Sequence, residues 1–155
     1  MPEFSLEQLN NFIVHAKAKT YIGSAEESPS YRPASRDLEY AEGNFTYLDS
    51  YFGGADFIGQ EIIYYQGQPV WGENYYGHLL EPGLISAEGV GLILKESLSR
   101  MYQEGRFLGG FSHQTDSGHY TDANSGSLTA FAGKEWISIG QVKVYELDYH
   151  GGLIH

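Results

Sequence analysis

The 155-residue chain contains no cysteine. That absence excludes thiol catalysis, zinc–thiolate sites and disulfide frameworks, and a domain of this length can bury a core without such staples. Basic residues are scarce: nine Lys+Arg stand against twenty Asp+Glu, a formal charge of −11. Such a surface repels a polyphosphate, so no direct nucleic-acid binding is expected. No apolar run approaches the roughly 18 residues that a membrane span needs, and Met1 to Ser5 hold no basic stretch leading into one. We therefore expect a soluble, cytoplasmic protein without membrane contact.

What is abundant points to strands. Thirteen Tyr and eight Phe provide material for a core despite the acidity, and twenty Gly suit a fold with many tight turns. Helical periodicity occurs twice. Ser5-Leu6-Glu7-Gln8 has the form of a capping box, and Leu6, Leu9, Ile13 and Ala16 follow at helical spacing, which predicts a helix near 6–18. Ser86 is a plausible N-cap for a second helix near 87–103, with Val90, Ile93, Leu94, Leu98 and Met101 as its apolar stripe. Strand-like runs lie near 44–52, 56–65 and 68–79, then near 111–115, 118–123, 127–132, 134–139 and 142–150. The segment from Gly23 to Asp37 reads as a long connection, and Tyr31, Arg32, Ser35, Arg36 and Asp37 are candidates for a cover over a pocket.

Two strand blocks superpose at an offset of 74 residues: Val70 on Val144, Trp71 on Tyr145, Asn74 on Asp148, Tyr75 on Tyr149 and Gly77 on Gly151. Upstream, Phe57-Ile58 corresponds to Trp136-Ile137 if the second hairpin is about five residues shorter. The expected architecture is thus a single α+β domain, 1–155. Its curved, mainly antiparallel sheet would be built from two related hairpin blocks, a pseudo-repeat of about 44–80 and 118–154, with two principal helices packed on it.

Several motifs together give this chain a family likeness: Ser35-Arg36-Asp37-Leu38-Glu39-Tyr40, Tyr47-Leu48-Asp49-Ser50-Tyr51-Phe52-Gly53-Gly54, Phe57-Ile58-Gly59-Gln60-Glu61, Pro69-Val70-Trp71, Asn74-Tyr75-Tyr76-Gly77 and Tyr149-His150-Gly151-Gly152-Leu153-Ile154. In these the chain resembles a bacterial family, domain of unknown function 5680, found alone or fused to an Xre-type helix-turn-helix. Glu73 stands where that family more usually has a larger apolar residue. The resemblance implies a sensory or accessory role beside a transcriptional regulator.

Strand alternation puts Val70, Gly72, Asn74 and Tyr76 on one face of the first block, and Val144, Glu146, Asp148 and His150 on one face of the second. The candidate ligand-binding lining is Arg36, Asp49, Tyr51, Glu61, Asn74, Tyr76, Asp148 and His150. Asp148 could hold the His150 imidazole and Glu61 could act as a second acid or base, which opens a hydrolase or lyase reading. No nucleophile elbow, phosphate loop or dinucleotide fingerprint accompanies them. His113 and His119 flank an acidic turn whose spacing fits no defined metal pattern, so neither metal nor cofactor is expected. The leading expectation is a small-molecule or effector-binding accessory module. A protein-interaction module, binding through exposed aromatics or a free sheet edge, is the third reading.

Overall fold

Ser5 caps the first helix as its sequence requires: its hydroxyl accepts from the Gln8 N–H at 3.1 Å, and the Gln8 side chain accepts from the Ser5 N–H at 2.8 Å. In the computed structural model, which describes residues 3–22 and 27–155, helix α1 covers Leu6–Lys17 and runs on into a π-helical turn, Ala18–Ile22. A two-residue strand β1 (Glu27–Ser28) follows. Then come β2 (Arg36–Glu42), β3 (Phe45–Gly53), β4 (Phe57–Tyr65) and β5 (Gln68–Leu79). Helix α2 (Ala87–Gln103), capped by Ser86, leads into β6 (Phe111–Gln114), β7 (His119–Ser127), β8 (Ala130–Ile139) and β9 (Val142–Leu153). The sequence reading had 127–132 and 134–139 as two strands broken at Gly133, and it read no strand before residue 44; the structure joins the former and adds β1 and β2.

All nine described strands form one curved antiparallel sheet in the order β1-β2-β3-β4-β5-β9-β8-β7-β6, an α+β fold. Each half is a helix followed by a four-strand meander, β2–β5 and β6–β9, with the short β1 added at the outer edge of the first, and the halves meet where β5 pairs with β9. The hairpins β4–β5 and β8–β9 share one register. Phe57 lies opposite Gly77 as Phe131 lies opposite Gly151, and each hairpin shifts register at one place, after Ile63 and after Ile137. The positional counterpart of Phe57 is therefore Phe131 and not Trp136. Both hairpins turn through two residues, so no five-residue deletion separates them.

Both helices pack on one face of the sheet. Leu9, Phe12, Ile13 and Ala16 from α1 and Val90, Ile93 and Met101 from α2 are buried, together with Tyr47, Trp71, Tyr120 and Tyr145 from the strands. Trp71 ties the halves together: its ring stacks on Phe131 at 5.7 Å, meets Phe107 edge-on, and donates from Nε1 to the Leu128 carbonyl at 3.1 Å.

Gly133 sits inside β8 because its neighbour across the sheet needs the space. A Cβ there would lie 2.4 Å from the Tyr149 ring, and one at Gly59 would lie 2.4 Å from the Tyr75 hydroxyl. Gly133→Ala and Gly59→Ala are each expected to cost about 1–3 kcal/mol by overpacking, measured by urea unfolding. Gly83→Ala, where a Cβ meets nothing within 4 Å, is the control and should stay within about 0.5 kcal/mol.

Candidate functional site

Sheet pairing places carboxyl groups in two cross-strand rows on the helix-bearing face. In the first half Leu38, Asp49, Glu61 and Glu73 are direct partners from β2 to β5. In the second half Phe111, Asp122, Glu135 and Leu147 are direct partners from β6 to β9. All five carboxylic acids are less than 9% exposed. A buried carboxyl needs partners, and tyrosines provide them in both halves. Tyr75 donates to Asp49 Oδ1 and Tyr149 donates to Asp122 Oδ1, both at 2.6 Å. Tyr47 donates to Glu61, and Tyr120 donates to Glu135 Oε2 at 2.5 Å.

The halves part company at one pair of positions. Lys17, 4% exposed at the junction of α1 and the π-helical turn, donates to Glu61 Oε2 at 2.8 Å and to Glu73 Oε2 at 2.9 Å. The N-caps Ser5 and Ser86 are 81 residues apart, and at that spacing the α2 counterpart of Lys17 is Leu98. Glu73 likewise faces the role that Leu147 fills in the second row. An ion pair in one half thus stands where the other half has two leucines.

These charges set the protonation pattern. Burial alone would raise the Glu61 carboxyl, but the Lys17 ammonium and the hydrogen bonds on it hold it below the usual glutamate range. Burial pushes Asp49 up to about 8, helped by the negative charge of Glu61 and opposed by the Tyr75 hydrogen bond. Burial likewise pushes Glu73 up to about 8, where the attraction of Lys17 is offset by repulsion from Glu61. Glu135 is raised to about 7 by burial against the Tyr120 hydrogen bond, and Asp122 is raised by the same cause. Lys17 is charged: burial disfavours its ammonium, yet Glu61 and Glu73 outweigh that and raise its pKa.

The rows border a cavity of about 400 Å³ between the sheet and the two helices. Asp49, Glu73, Asp122 and Glu135 open onto it among Tyr51, Tyr75, Tyr120, Tyr145 and Tyr149, with Leu94, Leu98, Met101 and Tyr102 of α2 opposite. Exposed Arg36 and Lys95 stand among its lining residues, as does Gly91.

Of the residues singled out in the sequence, Arg36, Asp49 and Tyr51 line this cavity, and Glu61 lies buried in the row between Asp49 and Glu73. Asn74, Tyr76, Asp148 and His150 are on the opposite, solvent-facing side, because their strand parity is that of Gly72 and Glu146 and not that of Tyr75 and Tyr149. There Asn74 pairs with His150 and Tyr76 with Asp148; Asn74 accepts from Gln60 at 2.8 Å, and Asp148 lies 3.4 Å from Lys134. The sheet therefore separates Glu61 from Asp148 and His150, and the acid–imidazole trio is not assembled.

The proposed cover also differs. Residues 23–26 of the connection lie outside the described residues. Its later part folds over Asp37, which accepts from the Tyr31 N–H at 2.7 Å and the Ser35 hydroxyl at 2.8 Å, and among the described residues from 27 to 37 only Arg36 borders the cavity. His113 is bonded to Glu96 at 2.6 Å and His119 to Ser112 and Gln114. No three acidic or histidine side chains among the described residues converge closely enough for a metal ion.

Sequence reasoning missed Lys17, Glu73, Asp122 and Glu135. Two signals for them existed. Lys17 falls four residues after Ile13 on the apolar stripe of α1, and Glu61 and Glu135 share the 74-residue offset that also relates Tyr75 to Tyr149.

Fold and site together define an α+β fold whose curved antiparallel sheet and two helices border a half-open cavity walled by tyrosine–carboxyl pairs. Residues 49–154 match the family described as Domain of unknown function (DUF5680), and the chain belongs to that family. The match spans both carboxyl rows but excludes Lys17 and Arg36. Neither a curated protein nor a solved structure matches the chain. Among the described residues, no helix is long and apolar enough to cross a membrane.

Proposed function

We propose that this domain binds a small molecule in the cavity between sheet and helices, and that it serves as an accessory or effector-sensing module beside a transcriptional regulator. One observation carries the reading: a cavity of about 400 Å³ has the size of a small-ligand site and combines an apolar, tyrosine-rich wall with a few convergent polar groups. Both halves contribute to it, which fits an ancestral helix-plus-four-strand unit, duplicated and then diverged at Lys17/Leu98 and Glu73/Leu147. A binding role is favoured over the hydrolytic one that pairs Asp148 and His150 with Glu61, because His150 lies across the sheet from the buried acids.

Gly91 offers a clean test. It borders the cavity from α2, and a Cβ there meets nothing within 4 Å. Gly91→Phe is expected to fold at least as well as the parent, since replacing a helical glycine gains several tenths of a kcal/mol, while its ring occupies the cavity. A metabolite screen by thermal shift should find compounds that stabilise the parent by about 2–3 kcal/mol at ~100 times Kd, and Gly91→Phe should lose that shift. A screen without any stabilising compound, or a shift that survives Gly91→Phe, would overturn the proposal.

A further inference from the structure

We infer that the ligand class is an organic cation: a protonated amine with a compact apolar or aromatic body, its charged end directed at the Asp49–Glu61–Glu73 row. The inference rests on the binding reading above and adds the chemistry of the ligand.

Two buried carboxyl groups at the cavity wall mark the place. Asp49 is 1% exposed and Glu73 is 7% exposed, and both border the cavity. Asp49 Oδ1 accepts from Tyr75, and among the described residues no donor reaches Asp49 Oδ2; Glu73 Oε2 accepts from Lys17, and the Glu73 carboxyl is also hydrogen-bonded to Glu61. In the second half the corresponding acids are satisfied: Asp122 accepts from Tyr149 and Asn124, and Glu135 accepts from Tyr120 and Tyr145. Asp49 thus differs from its counterpart Asp122 in having an oxygen left for a ligand at the cavity wall. A ligand carrying an N–H donor can hydrogen-bond to it.

The row can supply charge for a second cation. Lys17 is matched by Glu61, and Asp49 and Glu73 remain as two further carboxyl groups at the cavity wall, either of which becomes an anion by giving up its proton to a bound ammonium. Adjacent strands are about 4.8 Å apart, so Asp49 and Glu73, two strands removed, are separated by roughly 10 Å at the backbone. That spread suits an organic cation with several donors and a body that fills space. It agrees with the absence, among the described residues, of any cluster tight enough for a metal ion. Tyrosine faces around the cavity add attraction for an ammonium, and a net charge of −11 draws cations toward the molecule. Arg36 and Lys95 border the cavity too and argue for an anion, but both are exposed and their fields are screened by water.

Because Asp49 and Glu73 hold protons near neutral pH, an ammonium that pairs with either displaces one. Amine binding is therefore coupled to proton release.

The experiment uses the full chain and three probes of similar shape and different charge: phenethylamine, phenethyl alcohol and phenylpropionate. Calorimetric titration and thermal shift are run from about pH 6 to about pH 8, and tryptamine is added as a larger amine. The amines are expected to bind and the other two to bind at least tenfold more weakly, with amine affinity rising by up to tenfold per pH unit and protons released to the buffer. Asp49→Asn keeps an acceptor for Tyr75 and is expected to fold; with Glu73→Gln it should lose at least tenfold in amine affinity. Preferential binding of the alcohol or the carboxylate overturns the cation assignment and leaves the binding reading standing. Amine binding unchanged in both variants places the cation on the acidic exterior and also overturns the assignment. Failure of every probe, together with an empty metabolite screen, overturns both.

Discussion

Lys17→Met is expected to lower the unfolding free energy by about 3–5 kcal/mol, a fall of roughly 10 °C or more in Tm. The methionine matches the length of the lysine stem, so lost packing is small. What remains is Glu61 and Glu73, buried side by side on adjacent strands without the ammonium that contacts both at 2.8 and 2.9 Å. The second half shows what sequence tolerates that position without a cation. There Leu98 and Leu147 stand for Lys17 and Glu73, and Glu135 is held by two tyrosines alone. Lys17→Leu combined with Glu73→Leu copies this arrangement into the first half and should regain most of the loss, because an apolar pair of similar volume can replace a buried ion pair at little net cost. Urea unfolding of the two singles and the double supplies the cycle. A cost below about 1 kcal/mol for Lys17→Met at neutral pH would show that the bridge contributes no more than an exposed one.

Thermal stability should fall as the solution becomes more alkaline. Asp49 and Glu73 at about 8 and Glu135 at about 7 are raised above their ordinary carboxylate values by burial, with Asp122 raised in the same direction. Between their ordinary values near 4 and these folded values, the native chain holds protons that the unfolded chain has released. Raising pH through that window therefore favours unfolding. Each group contributes a slope of at most about 1.4 kcal/mol per pH unit, and allowing for mutual coupling the loss from about pH 6 to about pH 8.5 is on the order of 3 kcal/mol, roughly 10 °C in Tm. Glu61 works in the opposite sense. Its carboxyl lies below the ordinary range, so its contribution is present above that range and is lost in acid. The optimum should accordingly lie near the ordinary carboxylate range, about pH 4–5, where these two trends meet. Glu135→Gln, which keeps a neutral acceptor for Tyr120, should flatten the alkaline limb. A Tm that is level or rising from about pH 6 to about pH 8.5 would contradict the proton assignment.

The two experiments bear on one another. As the pH drops, Glu61 and Glu73 accept protons once Lys17 is gone, so the cost of Lys17→Met should shrink toward acid. The double leucine variant exchanges the raised Glu73 for a Glu61 that resembles Glu135, so its alkaline limb should stay about as steep as the parent's while the acid-side loss that Glu61 supplied disappears.

Much of the fold was legible in the chain. Ser5 with Gln8 and Ser86 before Ala87 marked both helix starts because capping is local chemistry, complete within four residues. Gln66-Gly67 and Gly140 marked two hairpins for the same reason: Gln66, Gly67 and Gly140 all take positive φ. Alternation separated Tyr75 from Asn74 and Tyr149 from Asp148 correctly, since side-chain direction along a strand has period two whatever the tertiary context. β2 escaped notice because its run, Arg36-Asp37-Leu38-Glu39-Tyr40, is rich in charge and becomes a strand only through pairing with β3. Gly133 looked like a break because its reason for being glycine, the ring of Tyr149, lies sixteen residues away in sequence and beside it in space.

The sequence by itself determined the class of the fold, the two helices, the likeness between the strand blocks and the family. Each of these rests on short-range patterns or on residues that can be compared position by position. Which face of the sheet would hold the polar site was decided only by tertiary structure. Alternation divides a strand into two faces without saying which one meets the helices, and that choice put Asp49 and Glu61 inside and Asp148 and His150 in water. Tertiary structure alone also brought Lys17 from α1 onto Glu61 and Glu73, across separations of 44 and 56 residues. The two strand blocks, alike as they are, therefore border an asymmetric cavity, because an ion pair in the first half meets two leucines in the second.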